Sequence, residues 1–216
     1  MSTERRAPLD RRRVASTALK LLNEAGLDGL TLRAIAKELD VKAPALYWHF
    51  KDKQALLDEM ATEMFRRMTD GIEPDPDDSW QERLLRANRV LRRTLLAYRD
   101  GAKVFSGTRF TGLEHAEQQE ANLRLLTSAG LTLTQAARAL QTTFLYTLGF
   151  VAEEQGVEPM PGERREGFDV EARARLMAGH PLAAEAGAAL FGDYDEHFEE
   201  GLALIVAGIE SRYGTN

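Results

Sequence analysis

The 216-residue chain contains no cysteine, which excludes a disulfide framework, a thiolate metal site and a cysteine nucleophile, and fits a reducing compartment. Aromatic side chains make up only 7% of the residues, and there are seven prolines. No stretch of about 18 apolar residues occurs, so no transmembrane helix is expected. The opening MSTERRAPLDRRR is basic but lacks the roughly 7 to 15 apolar residues of a secretory signal. The chain therefore reads as a soluble cytoplasmic protein with no membrane partner. Catalytic signatures are missing as well. The four histidines, at 49, 115, 180 and 197, lack metal-ligand spacing, and there is neither a P-loop nor a nucleophile elbow. Asp193, Asp195 and His197 are more simply the solvated start of a helix. No enzyme is expected, and no cofactor or metal is assigned.

What is present is ordinary globular usage, with 44% hydrophobic and 29% charged residues. The charge is unevenly placed. Residues 1–53 hold 11 Lys+Arg against 7 Asp+Glu, a balance of +4, and the remainder holds 17 against 27, a balance of −10. A basic head thus precedes an acidic body, and a basic head suits a polyanionic partner.

Helical periodicity runs through the chain. Val14, Ala18, Leu21, Leu22 and Ala25 recur at steps of three and four, and Gly26 supplies a stop. Thr31 is a candidate N-cap for a second helix, TLRAIAKEL, with Leu32, Ile35, Ala36 and Leu39 on its inner face. A third begins near Ala43, where Pro44 is tolerated because the first turn needs no N–H partner. Leu46 and Phe50, four apart, point inward from it. A longer helix covers about 53–69. The stretch from Gly71 to Asp78 is the clearest loop, and SWQE at 79–82 fits a capping box. Helical patterning then covers roughly 80–99, 113–129, 133–155 and 195–212, while 156–179 is rich in Gly, Pro and charge and is left without assigned structure. The fold class is all-α. An N-terminal three-helix helix-turn-helix domain occupies 1–53, with a connecting helix to about 70, and a C-terminal helical domain occupies 71–216.

Two short helices joined by a three-residue turn, after a first helix, form a helix-turn-helix arrangement. Asp40 opens the turn where a left-handed residue is needed, and Asp tolerates that conformation better than most. The 31-residue run LTLRAIAKELDVKAPALYWHFKDKQALLDEM closely resembles the tetracycline repressor (TetR) family, in which LYWHF followed by a basic residue is highly specific. The likeness continues through SWQE, YRDGAKV followed by GTR, TLG with EEQ shortly after, and a closing GLALIVAGIE. It covers most of the chain and is weakest from Gly156 to Asp193.

The resemblance implies a homodimeric repressor that grips a palindromic double-stranded DNA operator and is released by a small-molecule inducer. Arg33 matches a base-reading residue, and its guanidinium suits guanine O6 and N7, a contact worth about 1–3 kcal/mol of discrimination. Ala43, Pro44 and Ala45 match base-edge positions, but the two alanines offer only methyl contacts where the family's tetracycline-binding members carry polar side chains. Tyr47, His49 and Lys53 match phosphate-holding positions, with Thr31 adding a helix N-terminal contact. Trp48 either packs against the neighbouring helices or touches DNA. Arg5, Arg6, Arg11, Arg12 and Arg13 are either a solvated arm or an arm that reaches phosphates.

In the body, the family's magnesium-binding histidine is replaced by Phe105, and Thr69, Ala87, Asn122, Phe110 and Leu145 replace other tetracycline-site residues. Thr108, Arg109 and Glu153 are retained. Magnesium needs oxygen or imidazole ligands, so the resemblance implies a larger apolar or aromatic inducer without metal. Its candidate lining is Phe65, Thr69, Leu91, Phe105, Thr108, Arg109, Phe110, Asn122, Leu140, Phe144, Leu145 and Glu153. In the family the helices near 133–155 and 195–212 build the dimer interface, and ordinary intrachain core fits their patterning nearly as well. A body that only dimerises or binds proteins, with no inducer, is the competing reading.

Overall fold

The computed structural model describes residues 9–70 and 78–214, and every regular element among them is a helix apart from one isolated bridge between Met160 and Glu163. The N-terminal unit consists of α1 (Arg11–Gly29), α2 (Leu32–Glu38) and α3 (Ala43–Tyr47). The long helix α4 (Lys53–Thr69) leads out of it. The body comprises α5 (Trp80–Leu96), α6 (Gly101–Phe105), α7 (Glu114–Ser128), α8 (Leu133–Val157), α9 (Val170–Leu176), α10 (Pro181–Phe191) and α11 (Tyr194–Tyr213). Arg5, Arg6 and residues 71–77 of the loop expected at Gly71–Asp78 lie outside the described residues.

Local chemistry accounts for most helix boundaries. Asp10, Thr31, Asp52 and Asp193 each accept a backbone N–H of the first turn they precede. Ser79 with Glu82, and Thr132 with Gln135, form reciprocal capping boxes. α2 ends in a Schellman motif: Val41 N–H donates to Ala36 O and Asp40 N–H to Lys37 O, with Asp40 at φ 53°. The left-handed residue expected at the turn is thus present. α7 closes the same way around Gly130, and Leu131 tucks beneath it. Gly26, at φ 68°, kinks α1 so that a final turn to Gly29 leaves at a new angle, where the sequence suggested a simple stop.

The packing departs from the sequence expectation in two places, the span 156–193 and α6. Phe198, Leu202 and Ile209 of α11 are buried within the chain, the ordinary intrachain core that the patterning allowed. A different face of α11 is open, carrying Ala203, Leu204, Ala207 and Gly208. The span 156–193, left mostly unassigned, holds α9 and α10, neither of which buries a residue. The five-residue α6 lies where no helix was expected. Its Gly101 is required, because a Cβ there would come within 2.1 Å of the Leu95 carbonyl oxygen.

Candidate functional site

In the head, Leu46 and Phe50 are fully buried and anchor α3 from beneath. The α3 surface is consequently pushed outward. Trp48 is 89% exposed, so the core alternative for it does not hold, and Tyr47 beside it is exposed too. Arg33 at the start of α2, Pro44 and Lys53 are exposed as well, while Ala43, Ala45 and His49 are half-buried. Thr31 Oγ1 caps α2 by accepting Ala34 N–H at 3.1 Å. Lys53 Nζ rests on Leu27 O at 3.2 Å, which places its charge beside the turn between α1 and α2.

The arginine arm is only partly an arm. Arg11 and Arg12 belong to the first turn of α1 and reach across to α4, where Glu59 and Glu63 are 4% and 3% exposed. Arg11 Nε donates to Glu59 at 2.9 Å, and Arg12 Nε to Glu63 at 3.0 Å. Arg11 also donates to His49 O at 2.8 Å and stacks its guanidinium over the Phe50 ring, tying the end of α3 to α4. Arg66 binds Glu59 from the other side and continues to Glu114 at the start of α7. Thr111 Oγ1 donates to Glu59 at 3.0 Å. Burial pushes the Glu59 carboxyl up, but hydrogen bonds from Arg11, Thr111 and Arg66 outweigh it and hold the group below the ordinary carboxylate value.

A second joint lies at the kink of α1. Leu27 N–H donates to the Asp100 carboxylate at 3.0 Å, and Asn23 exchanges hydrogen bonds with Ala97 O and Arg99 N–H. Asp100 is itself left-handed at φ 57° and precedes α6 directly. A Cβ on Gly26 would meet this carboxylate at 3.3 Å. Burial raises the Asp100 carboxyl, yet Lys103 and the Leu27 N–H bring it below its usual range.

The body holds a half-open cavity of about 580 Å³ between α4, α5, α6, α7 and α8. This size suits a drug-sized molecule. Phe65 and Thr69 line it from α4, Leu91 from α5, and Phe105, Thr108 and Phe110 from α6 and the loop after it. Asn122 lines it from α7, and Leu140, Phe144 and Leu145 from α8. Phe105 stands 5.4 Å from Phe110 and 6.4 Å from Phe144, centroid to centroid, so three elements contribute to one aromatic wall. Two expected residues are elsewhere. Arg109 has an exposed side chain, its backbone N–H held by Asp58 on the far side of the loop. Glu153 lies nine residues after Phe144, half a turn out of phase at roughly 100° per residue, and faces outward.

The lining includes residues that sequence reasoning missed, notably Arg83, Arg86, Asn88, His115 and Gln118. Arg83 lies on the face of α5 set by Ala87 and Leu91, whereas Arg86 and Asn88, two residues apart, flank that face on opposite sides. Asn88 is buried and accepts the Thr147 hydroxyl at 2.8 Å while donating to Leu84 O. At the position where the resemblance puts the family's magnesium-binding histidine, Phe105 offers a metal no ligand, and His115 supplies the one imidazole among the described lining residues, its Nδ1 paired with Gly112 O. Among the described residues no three His, Cys, Asp or Glu side chains come together.

Behind the cavity, Arg92 grips Glu154 bidentately at 2.8 and 3.0 Å and reaches Asp195, crossing from α5 to α8 and α11. Burial nonetheless pushes the Glu154 carboxyl above its ordinary value despite Arg92. No helix among the described residues is long and apolar enough to cross a membrane.

A family model described as bacterial regulatory proteins, tetR family, matches residues 15–60, and one described as tetracyclin repressor-like, C-terminal domain, matches residues 73–213. The chain is similar to the tetracycline repressor protein class A of Escherichia coli, 42% identical over 200 residues that cover 92% of this chain and 89% of that protein. Its structure is similar to that of a possible TetR family transcriptional regulator from Streptomyces coelicolor A3(2), with a TM-score of 0.80 and 41% identity over 94% of this chain and 99% of that one. It is also similar to BioQ in the crystal structure with its double-stranded DNA operator, with a TM-score of 0.66 and 28% identity over 94% and 99% of the two chains. With the exposed helix-turn-helix and the helical body both matched, the chain belongs to the TetR family of transcriptional regulators and is not an enzyme.

Proposed function

We propose that the protein is a repressor that binds a palindromic operator as a homodimer and is released when a hydrophobic or aromatic small molecule, free of metal, enters the body cavity. The observation that carries this reading is the direct wiring of cavity to head. Phe65 and Thr69 of the cavity stand on α4, the helix that leads out of the head, and Phe105 ends α6, whose first residue follows the Asp100 that holds Leu27. A ligand that displaces α6 pulls on the kink of α1, and one that displaces α4 pulls on Arg11 and through it on α3. A swing from 1:99 to 99:1 takes about 5.5 kcal/mol of differential affinity, within reach of a ligand that fills such a cavity.

In this reading Arg33 reads a guanine, Ala43, Pro44 and Ala45 face base edges, and Tyr47, Trp48, His49, Lys53 and Thr31 hold the phosphate backbone. The second copy packs on the open faces of α8 and α11, where Leu145, Gly149, Leu204, Ala207 and Gly208 are exposed. Gly149 and Gly208 have nothing within 4 Å of a Cβ in the chain itself, which suits close approach of a second backbone. Two heads then sit one DNA turn apart, roughly 34–36 Å. The test is a mobility shift with duplex DNA from the region upstream of the gene, with and without hydrophobic antibiotics and pigments. Sequence-selective, salt-sensitive binding that one such compound abolishes supports the proposal, and a lack of selective binding overturns it.

A further inference from the structure

Resting on the reading of the body cavity as an inducer site, we infer that the inducer is an anion: an aromatic molecule carrying a carboxylate or an acidic phenol, recognised by Arg83. The chain as a whole is acidic, with 34 Asp+Glu in 216 residues. The 26 described residues lining the cavity include no Asp or Glu, and their ionisable groups are Arg83, Arg86 and His115. The lining therefore carries the opposite sign to the chain's net charge of −6, which favours an anionic occupant.

The two arginines are not equivalent. Arg86 is already paired, its Nη2 donating to the Asp78 carboxylate. Arg83 has no such partner: its Nε is sealed from solvent and makes no hydrogen bond. Because Nε is closed to solvent it is closed to a ligand oxygen as well, so the acidic group would pair with the other N–H groups of this half-buried guanidinium, a charge-assisted hydrogen bond. Arg83 lies on the second turn of α5, eight residues before Leu91, or roughly 12 Å along the helix at 1.5 Å per residue. The aromatic wall of Phe65, Phe105, Phe110 and Phe144 comes from the other helices. A ring system against that wall with its acidic group toward the start of α5 uses both features.

The test compares two fluorescent probes of the same shape, pyrenebutyrate and its neutral counterpart pyrenebutanol, titrated into the full-length protein at pH 7. Pyrenebutyrate is expected to bind roughly 10 to 100 times more tightly, the range of a charge-assisted hydrogen bond. Arg83→Met should remove that preference while leaving pyrenebutanol binding unchanged, and Arg83→Lys should restore part of it. Equal affinity for both probes in the wild type overturns the inference while leaving the inducer site standing. Equal weakening of both probes by Arg83→Met also overturns it, by giving Arg83 a structural role. If neither probe binds, and none of the compounds in the mobility shift releases DNA, the inducer site itself fails and the inference with it.

Discussion

Glu59→Gln isolates the joint between head and connecting helix. The carboxylate is 4% exposed and accepts from Arg11 at 2.9 Å, Thr111 at 3.0 Å and Arg66 at 3.2 Å. Breaking a fully buried ion pair costs about 3–5 kcal/mol, because the surviving charge is left uncompensated. Here the survivors are partly solvated, with Arg11 and Arg66 side chains 43% and 20% exposed, so both regain some hydration. The amide oxygen of Gln also keeps the Thr111 hydroxyl bond. An expected loss of about 1–2 kcal/mol follows, which lowers Tm by roughly 2–8 °C in a chain of this size at fixed protein concentration. The assay is urea unfolding of Glu59→Gln, Arg11→Met and the double variant, with the coupling energy taken from the cycle. The effect has a defined pH signature. Glu59 is held below its ordinary value of 4.5, so its contribution is fully present above that pH and fades as the pH falls through the lower folded value. The wild-type advantage should therefore persist from pH 8 down to about pH 5 and shrink below about pH 4.5. A coupling energy under about 0.3 kcal/mol, or an advantage that grows on acidification, refutes the reasoning.

Arg33→Ala is expected to relax selectivity at one base position per half-site, whereas Lys53→Ala weakens all sequences alike and lowers the salt-dependence slope by about 1; competition with single-position operator variants separates them. Gly201→Ala places a Cβ within 2.2 Å of the Tyr146 hydroxyl and should cost about 1–3 kcal/mol in thermal unfolding. Gly208→Ala meets nothing in its own chain and should instead weaken dimerisation, read by sedimentation equilibrium; an unchanged dimer would remove Gly208 from the interface. Arg92→Met leaves Glu154 as a buried unpaired acid and should cost about 3–5 kcal/mol. Because Glu154 is already raised, the stability tied to it is greatest at low pH and is lost as pH rises, so this deficit should widen from pH 5 to pH 8 in thermal unfolding.

The head was largely legible in the sequence because its signals are local. Thr31, Asp40, Pro44, Leu46 and Phe50 each act within a turn or two of their own backbone, and spacing alone places them. The joints were not legible. Arg11 and Glu59 are 48 residues apart and Arg12 and Glu63 are 51, so no periodicity relates them, and a run of arginines looks the same whether it is solvated or consumed. The cavity was legible where apolar residues share a helical face, and illegible at Arg83, which follows the polar Gln81 and Glu82 of the helix start and reads as part of a solvated surface. α6 escaped because five residues hold too little period to register, and α9 and α10 because nothing in them is buried.

The arginine and glutamate lattice on α4 also sets where this protein can be cut and rejoined. A head transplanted with a boundary at residue 60, where the N-terminal family match ends, carries Glu59 with it but leaves Glu63, Arg66 and Arg67 behind, so Arg12 arrives on a foreign body without its acid. Moving the boundary to residue 70 keeps all six charged residues on one side. What crosses that seam includes Thr111, Glu114, Tyr98 and the Arg109 N–H against α4, and Ala97, Arg99 and Asp100 at the kink of α1. In the mechanism proposed above, a recombined regulator built from this chain passes its signal to the head when those body residues are carried along with it.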